Sequence, residues 1–169
     1  MLLAMDLGGT WCRVACFERL GERPRAVRRL PTRPERGFFP LLEELVAASR
    51  ALLEGMVPTG VGVAAPGPLD PKHGVLLRLP NLPQWPEALP LAELLAEQLG
   101  APTRVDNDAN LAALGEHRFG AGRGVDHLVY LTVSTGIGGG IISGGRLLHG
   151  VHGFAGEVGH QVILPDGPP

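Results

Sequence analysis

The chain has 169 residues, 44% of them apolar, and 15 Lys and Arg against 17 Asp and Glu give a formal net charge of −2. That length holds one domain, or one domain and part of another, and the apolar share excludes a wholly disordered chain. Near charge balance leaves no basic face for nucleic acid, and no apolar run approaches membrane-spanning length, so neither partner is expected.

In chain order, residues 2–5 form an apolar run ending at Asp6-Leu7-Gly8-Gly9-Thr10, the pattern of strand, tight turn and returning strand over 11–18. The two cysteines, Cys12 and Cys16, fall on one face of that returning strand, too far apart along it to bridge. A reduced, cytoplasmic protein is expected, since residues 1–6 lack a basic start and meet an aspartate too early for a secretion signal. Residues 26–30 read as a third strand. The arginines between 19 and 36 are interrupted by Pro24, Pro31 and Pro34, and are expected as solvated strand and loop. A helix is predicted over 38–54, where Phe38, Leu41, Leu42, Leu45, Val46, Leu52 and Leu53 recur at three-four spacing between Gly37 and Gly55.

Residues 61–65 read as a small-residue strand leading into Pro66-Gly67-Pro68, and the proline-rich stretch 69–90 as loop and hairpin. Leu91, Leu94, Leu95 and Leu99 predict a second helix over 91–99. A short strand at 103–105 delivers Asp106-Asn107-Asp108 to a third helix over 109–119. Gly120-Ala121-Gly122-Arg123-Gly124 then breaks the pattern, so an α/β lobe is expected over 1–119 and the beginning of a second over 120–169. The pattern restarts with a strand at 127–133, a glycine-rich turn at 134–140 and a returning strand at 141–143. More extended structure is expected at 146–148 and 157–164. The repeated strand-turn-strand opening suggests two related lobes with a cleft between them. Residues 125–169 are too few for a complete covered sheet, and the last six have loop composition. The second lobe is therefore expected to be incomplete, to expose apolar surface and to form homo-oligomers.

Three clusters carry candidate chemistry. A phosphate chain approaches a backbone closely only where no Cβ intrudes, and successive N–H groups then bind its oxygens. Gly8 and Gly9, beside Thr10, meet that condition, with Asp6 as a carboxylate for a hydrated Mg²⁺. Thr135, Gly136, Gly138 and Gly139, beside Ser134, offer a second set of N–H and hydroxyl donors. Either turn alone also reads as an ordinary hairpin; their repetition favours phosphate binding. Neither is a P-loop, because no Gly-Lys-Ser/Thr follows.

Asp106-Asn107-Asp108 could serve as plain helix caps, but one residue suffices for that. A carboxylate there can take the proton of an attacking hydroxyl, so Asp108 is the candidate base and Asn107 the amide that orients a sugar. The partial positive charge at a helix N-terminus favours the ionised carboxylate. In the third cluster, residues 153–160, Glu157 and His160 offer partners for sugar hydroxyls, against the alternative of a surface loop. His149 and His152 read as incidental. No complete metal set is visible in the sequence.

Taken together these residues resemble the ROK family (repressors, open reading frames and kinases), which includes bacterial glucokinases, fructokinases and N-acetylhexosamine kinases. The matching segments are DLGGT at 6–10, PGPLD at 66–70, NLPQW at 81–85, VDNDAN at 105–110, STGIGGGII at 134–142 and GFAGEVGH at 153–160. The resemblance implies an α/β, ribonuclease H-like or actin-like ATPase fold that binds Mg²⁺ with ATP and a hexose. It implies that Asp108 is the base on the sugar hydroxyl, and that Asn107, Glu157 and His160 contact the sugar, with Gly67 and Asn81 as further candidates. The histidine matching His160 joins three downstream cysteines at a structural zinc in the family. This chain stops before that motif, so His160 is a zinc ligand only if such cysteines follow, and zinc is not expected here. Family repressors carry a DNA-binding domain ahead of DLGGT; with that motif at residue 6, DNA binding is not expected.

Two functions follow. One is ATP-dependent phosphorylation of a hexose. The other is a catalytically silent sugar-binding or interaction module, because the C-terminal nucleotide half is missing. A nucleotide-binding protein without a sugar substrate is a third, weaker reading.

Overall fold

The structure, a computed structural model, describes residues 1–77, 79, 82–134 and 136–164. The expected loop at the chain's end, 165–169, lies outside the described residues. The chain divides into two compact units, Met1–Asp108 and Ala109–Pro169. No helix among the described residues is long and apolar enough to cross a membrane.

Unit 1 begins with a meander of β1 (Leu2–Leu7), β2 (Trp11–Phe17) and β3 (Ala26–Pro31), paired antiparallel in the order β3-β2-β1. Strand alternation puts Leu3, Met5 and Leu7 of β1 and Cys12, Val14 and Cys16 of β2 into the core. Both thiols are free and buried, as their spacing on one strand face required. Helix α1 (Phe38–Leu53) packs on β2 and β3 and buries the apolar stripe expected of it. Full burial of a side chain such as Leu45 contributes about 1.5–3 kcal/mol, so packing rather than intrinsic propensity holds this helix. It ends one residue earlier than expected: Glu54 turns left-handed at φ 53 and donates its N–H to the Arg50 carbonyl, ahead of Gly55 at φ 86.

Strand β4 (Gly60–Ala65) pairs parallel with β1 on the edge that β2 leaves open. A small hairpin of β5 (Leu69–Asp70) and β6 (Val75–Leu76) follows the cis Gly67–Pro68 bond. Trp85, from the proline-rich stretch, lies edge-on to Phe38 at 5.0 Å between ring centres. Helix α2 (Leu91–Leu99) has the predicted bounds and closes on Gly100 at φ 68. Strand β7 (Thr103–Asn107) runs two residues further than expected and pairs parallel with β4, giving the order β3-β2-β1-β4-β7.

Helix α3 (Asp108–Phe119) starts at the end of β7. The two compact units divide at its first residue. The reason is packing: Ala109 and Ala113 of α3 lie against the glycines of β9 (Ile137–Ser143), which pairs antiparallel with β8 (Leu128–Val133) and with β10 (Arg146–Leu147). Unit 2 thus opens with a meander in the order β10-β9-β8, the same arrangement as β3-β2-β1. Two local expectations are corrected. The turn between β8 and β9 is short, because residues 137–140 belong to β9, and Val158–His160 forms a single 3-10 turn, not a strand. Val129, Leu131 and Val133 alternate along β8 on an exposed face, Val133 being 79% accessible.

Gly140 shows why β9 is so rich in glycine. A Cβ there would sit 2.6 Å from the Ala113 Cβ and 2.7 Å from the Ala109 carbonyl oxygen. Gly140→Ala must push α3 off the strand, and chemical denaturation is expected to register a loss of about 1–3 kcal/mol, the usual cost of overpacking. An unchanged unfolding midpoint would contradict this packing.

Candidate functional site

In unit 1 the candidate residues meet at the carboxyl ends of three parallel strands. The registers Asp6↔Ala64 and Ala64↔Asp106 set Asp6, Ala64 and Asp106 in one row across β1, β4 and β7. At the usual strand spacing that row is about 10 Å long. Beyond its first member comes the Gly8-Gly9-Thr10 turn, beyond its second Gly67, and beyond its third Asn107 and Asp108. Ligands in open α/β sheets bind at such strand ends.

The glycine turn is held from behind. Gly8 donates its N–H to the Trp11 carbonyl at 3.1 Å, the Gly8 carbonyl accepts the Thr32 hydroxyl at 2.6 Å, and the Thr10 carbonyl accepts the Thr32 N–H at 3.0 Å. The N–H groups of Gly9 and Thr10, by contrast, are given to no other protein group among the described residues, and both residues are exposed. Two adjacent unspent donors at an exposed turn are of the kind that can bind an anion. A Cβ on Gly8 would lie 2.7 Å from the Trp11 oxygen, whereas one on Gly9 would meet nothing within 4 Å. The packing of the fold therefore explains Gly8 but not Gly9.

Asp6 stands beside this turn and faces Arg13 across the strand pair, Oδ2 to Nη1 3.2 Å. Both side chains are largely exposed, so the pair is worth at most about 1 kcal/mol and leaves the carboxylate able to exchange partners. No separate signal in the sequence marked Arg13. Behind the turn, burial pushes the Cys12 thiol pKa up, with its hydrogen-bond contacts to Thr32 and Gly8 opposing that shift.

Asp108, the first residue of α3, is exposed rather than enclosed in the core, and Asn107 is half-buried at the end of β7. The Asp106 carboxylate accepts the Asn107 N–H at 2.8 Å, which fixes the corner between strand and helix. Gly67 is half-buried after β4, while Asn81 lies outside the described residues.

In unit 2 the Ser134 N–H bonds the Gly136 carbonyl at 2.9 Å to close the β8–β9 turn; Thr135 lies outside the described residues. Gly136 is exposed, and a Cβ there would meet nothing within 4 Å. Gly138 and Gly139 fall in β9 instead of the turn. Gly139 is buried, where a Cβ would approach the Val158 Cγ2 at 2.9 Å and the Gly156 oxygen at 3.0 Å. Gly156 and Gly159 in turn lie so close to Gly139 and Ile137 that a side chain on either would overlap the β9 backbone. This close approach lays residues 156–160 along β9 and fixes Glu157 and His160 there. Their side chains are loosely paired, Oε2 to Nε2 3.9 Å, and His160 is 85% exposed. A cavity of about 410 Å³ lined by His117, Arg118, Arg123, Val125 and Asp126 lies at the opposite end of β8 from this turn and includes none of the candidates.

The donors for a zinc site do not fit. His160 would need cysteine partners, and Cys12 and Cys16 are both buried in the core of unit 1. A Mg²⁺ that keeps most of its waters needs only one or two carboxylates plus phosphate oxygens, which the exposed Asp6 beside the glycine turn satisfies.

An antiparallel meander continued by parallel strands, with its opening repeated in unit 2, is the pattern of α/β proteins with an actin-like ATPase fold. The chain belongs to the ROK family, whose family profile matches residues 2–169. It is 39% identical over 167 residues to a glucokinase from Thermotoga maritima, covering 99% of this chain and 52% of that one. A ROK hexokinase from Thermus thermophilus superposes with a TM-score of 0.85 at 40% identity, covering 99% of this chain and 55% of the other. A ROK family glucokinase from Streptomyces griseus, solved with glucose and AMPPNP, gives 0.85 at 36% identity over 98% of this chain and 52% of its own. A putative xylose repressor from a Caldicellulosiruptor species also matches, at 35% identity over 96% of this chain and 41% of its own length. The chain spans about half the length of the curated relatives it matches.

Proposed function

We propose that this chain supplies the base, the sugar contacts and phosphate-binding turns of an ATP-dependent hexose kinase of the glucokinase type. The observation that carries this reading is the row Asp6, Ala64, Asp106, which gathers the glycine turn and the Asn107–Asp108 corner at one end of one sheet.

In the reaction a hexose hydroxyl oxygen bonds to the γ-phosphorus of ATP, the bond from that phosphorus to the bridging oxygen breaks, and ADP leaves. Asp108 takes the hydroxyl proton as the new bond forms. Asn107 orients the ring bearing that hydroxyl, with Gly67 and Asn81 as further contacts. The free N–H groups of Gly9 and Thr10 bind phosphate oxygens as preorganised donors. Mg²⁺, held by Asp6 through water, would supply positive charge against the phosphates. Unit 2 contributes Glu157 and His160 as partners for sugar hydroxyls, and Thr135 and Gly136 as phosphate donors. A cytoplasmic setting suits the two free thiols. The exposed Val129, Leu131 and Val133 make self-association part of the same reading, and a monomer by light scattering at high concentration would count against it.

The test is a coupled assay for ADP release from MgATP with glucose, mannose, fructose and their N-acetylamino forms. Hexose-dependent ADP release is the expected result. Hexose binding by calorimetry with no ADP release would instead establish the second reading, a silent sugar-binding module. The observation favouring that reading is the chain's span of about half its relatives.

A further inference from the structure

We infer that Thr32 is the positioning residue of the phosphate turn: it ties the carbonyls of Gly8 and Thr10 inward, so that the N–H of Gly9 stays presented to a phosphate chain. The inference rests on the phosphate-binding reading of that turn and extends it to a residue far away in sequence.

Thr32 follows β3 amid arginines and prolines, yet it is 2% exposed. Its burial has a specific cause. The side-chain hydroxyl donates to the Gly8 carbonyl at 2.6 Å, and the backbone N–H donates to the Thr10 carbonyl at 3.0 Å. One residue thus grips the turn on both sides of Gly9. A hydroxyl has a single proton, and here it is committed to Gly8. The same oxygen lies 3.4 Å from the Cys12 Sγ, and that thiol also reaches the Gly8 carbonyl at 3.9 Å. Cys12, Thr32 and the Gly8 carbonyl thus meet behind the turn, partly buried, where an unpaired carbonyl is costly.

A peptide unit has its carbonyl and N–H on opposite sides. Fixing the Gly8 carbonyl inward therefore turns the Gly9 N–H outward. The same plane argument applied at Thr10 fixes where the turn leads into Trp11, whose ring is capped by the Arg29 guanidinium at 3.9 Å. The outward Gly9 donor need not reorganise when a phosphate arrives, and such preorganisation is what makes backbone donors effective.

The test uses the 169-residue chain with MgATP as the probe, read by the amide resonances of Gly9 and Thr10. Thr32→Val keeps the shape and removes the hydroxyl, and is expected to weaken MgATP binding on the order of tenfold, the scale of one lost buried hydrogen bond. Thr32→Ser is expected to restore it, which a loss of general stability would not predict. A valine variant that binds like the wild type overturns the inference, and so does a serine variant as weak as the valine one. Wild-type Gly9 and Thr10 amides that ignore MgATP would overturn the phosphate-site reading itself, and this inference with it. Hydrogen exchange in the unmodified chain needs no variant to fold: the Thr32 amide is expected to be protected, and those of Gly9 and Thr10 to exchange fast. Equal protection of all three would also overturn the inference.

Discussion

Asp108→Asn is expected to lower kcat for hexose phosphorylation by about 10²–10⁴-fold, the usual contribution of a positioned general base. Asparagine keeps the size of the side chain and is as good a helix cap as aspartate, so the change separates catalysis from capping. For the fold, the change removes the favourable charge at the start of α3, worth about 0.3–1 kcal/mol at an exposed site. Turnover should therefore fall far more than stability, and hexose binding should stay close to wild type. The measurement is the ADP assay alongside an unfolding curve. A variant with wild-type kcat would remove Asp108 from the chemistry, and a variant whose activity falls only with its stability would reduce it to a cap.

Gly9→Ala is expected to leave the unfolding midpoint unchanged or slightly raised while weakening MgATP binding by tenfold or more. Gly9 has no left-handed φ, and its Cβ would meet no protein atom within 4 Å. Alanine in a compatible conformation stabilises by about 0.4–1 kcal/mol through the unfolded chain. A methyl group facing a phosphate chain, however, intrudes on a close approach, at about 1–3 kcal/mol by analogy with overpacking. The neighbouring Gly8→Ala serves as the contrast, because its Cβ would press on the Trp11 carbonyl and cost stability outright. Wild-type MgATP affinity in Gly9→Ala would mean that no phosphate approaches this turn closely.

Several parts of this protein were legible because local rules and global packing agree. Helix α2 was predicted residue for residue, since Leu91, Leu95 and Leu99 mark a stripe that only a helix can bury on one side. Strand β1 was legible from its apolar run at 2–5, though it continues two residues further, to Leu7 at the turn that Gly8 permits. The β9 glycines were misread for a physical reason. Gly138, Gly139 and Gly140 have the composition of a turn, yet their small size serves the approach of α3 on one side and of residues 156–159 on the other. Nothing local to residues 137–140 announces those neighbours. Thr32 was hidden in the same way, in a stretch whose charges and prolines read as solvated loop.

The sequence by itself singled out the candidates for chemistry: a carboxylate at the head of a helix, glycines where a phosphate can come close, and a carboxylate–imidazole pair three residues apart. Spacing and residue type suffice there, because the relevant contacts lie within a few residues. Only the tertiary structure decided the rest: that β4 and β7 join β1 in parallel and bring Asp6 and Asp106 into one row, that α3 packs on β9, and that Thr32 returns to Gly8 over a sequence separation of 24. Those pairings join segments far apart in the chain, and they form only where burial and hydrogen bonding together outweigh the entropy of closing the loops between them.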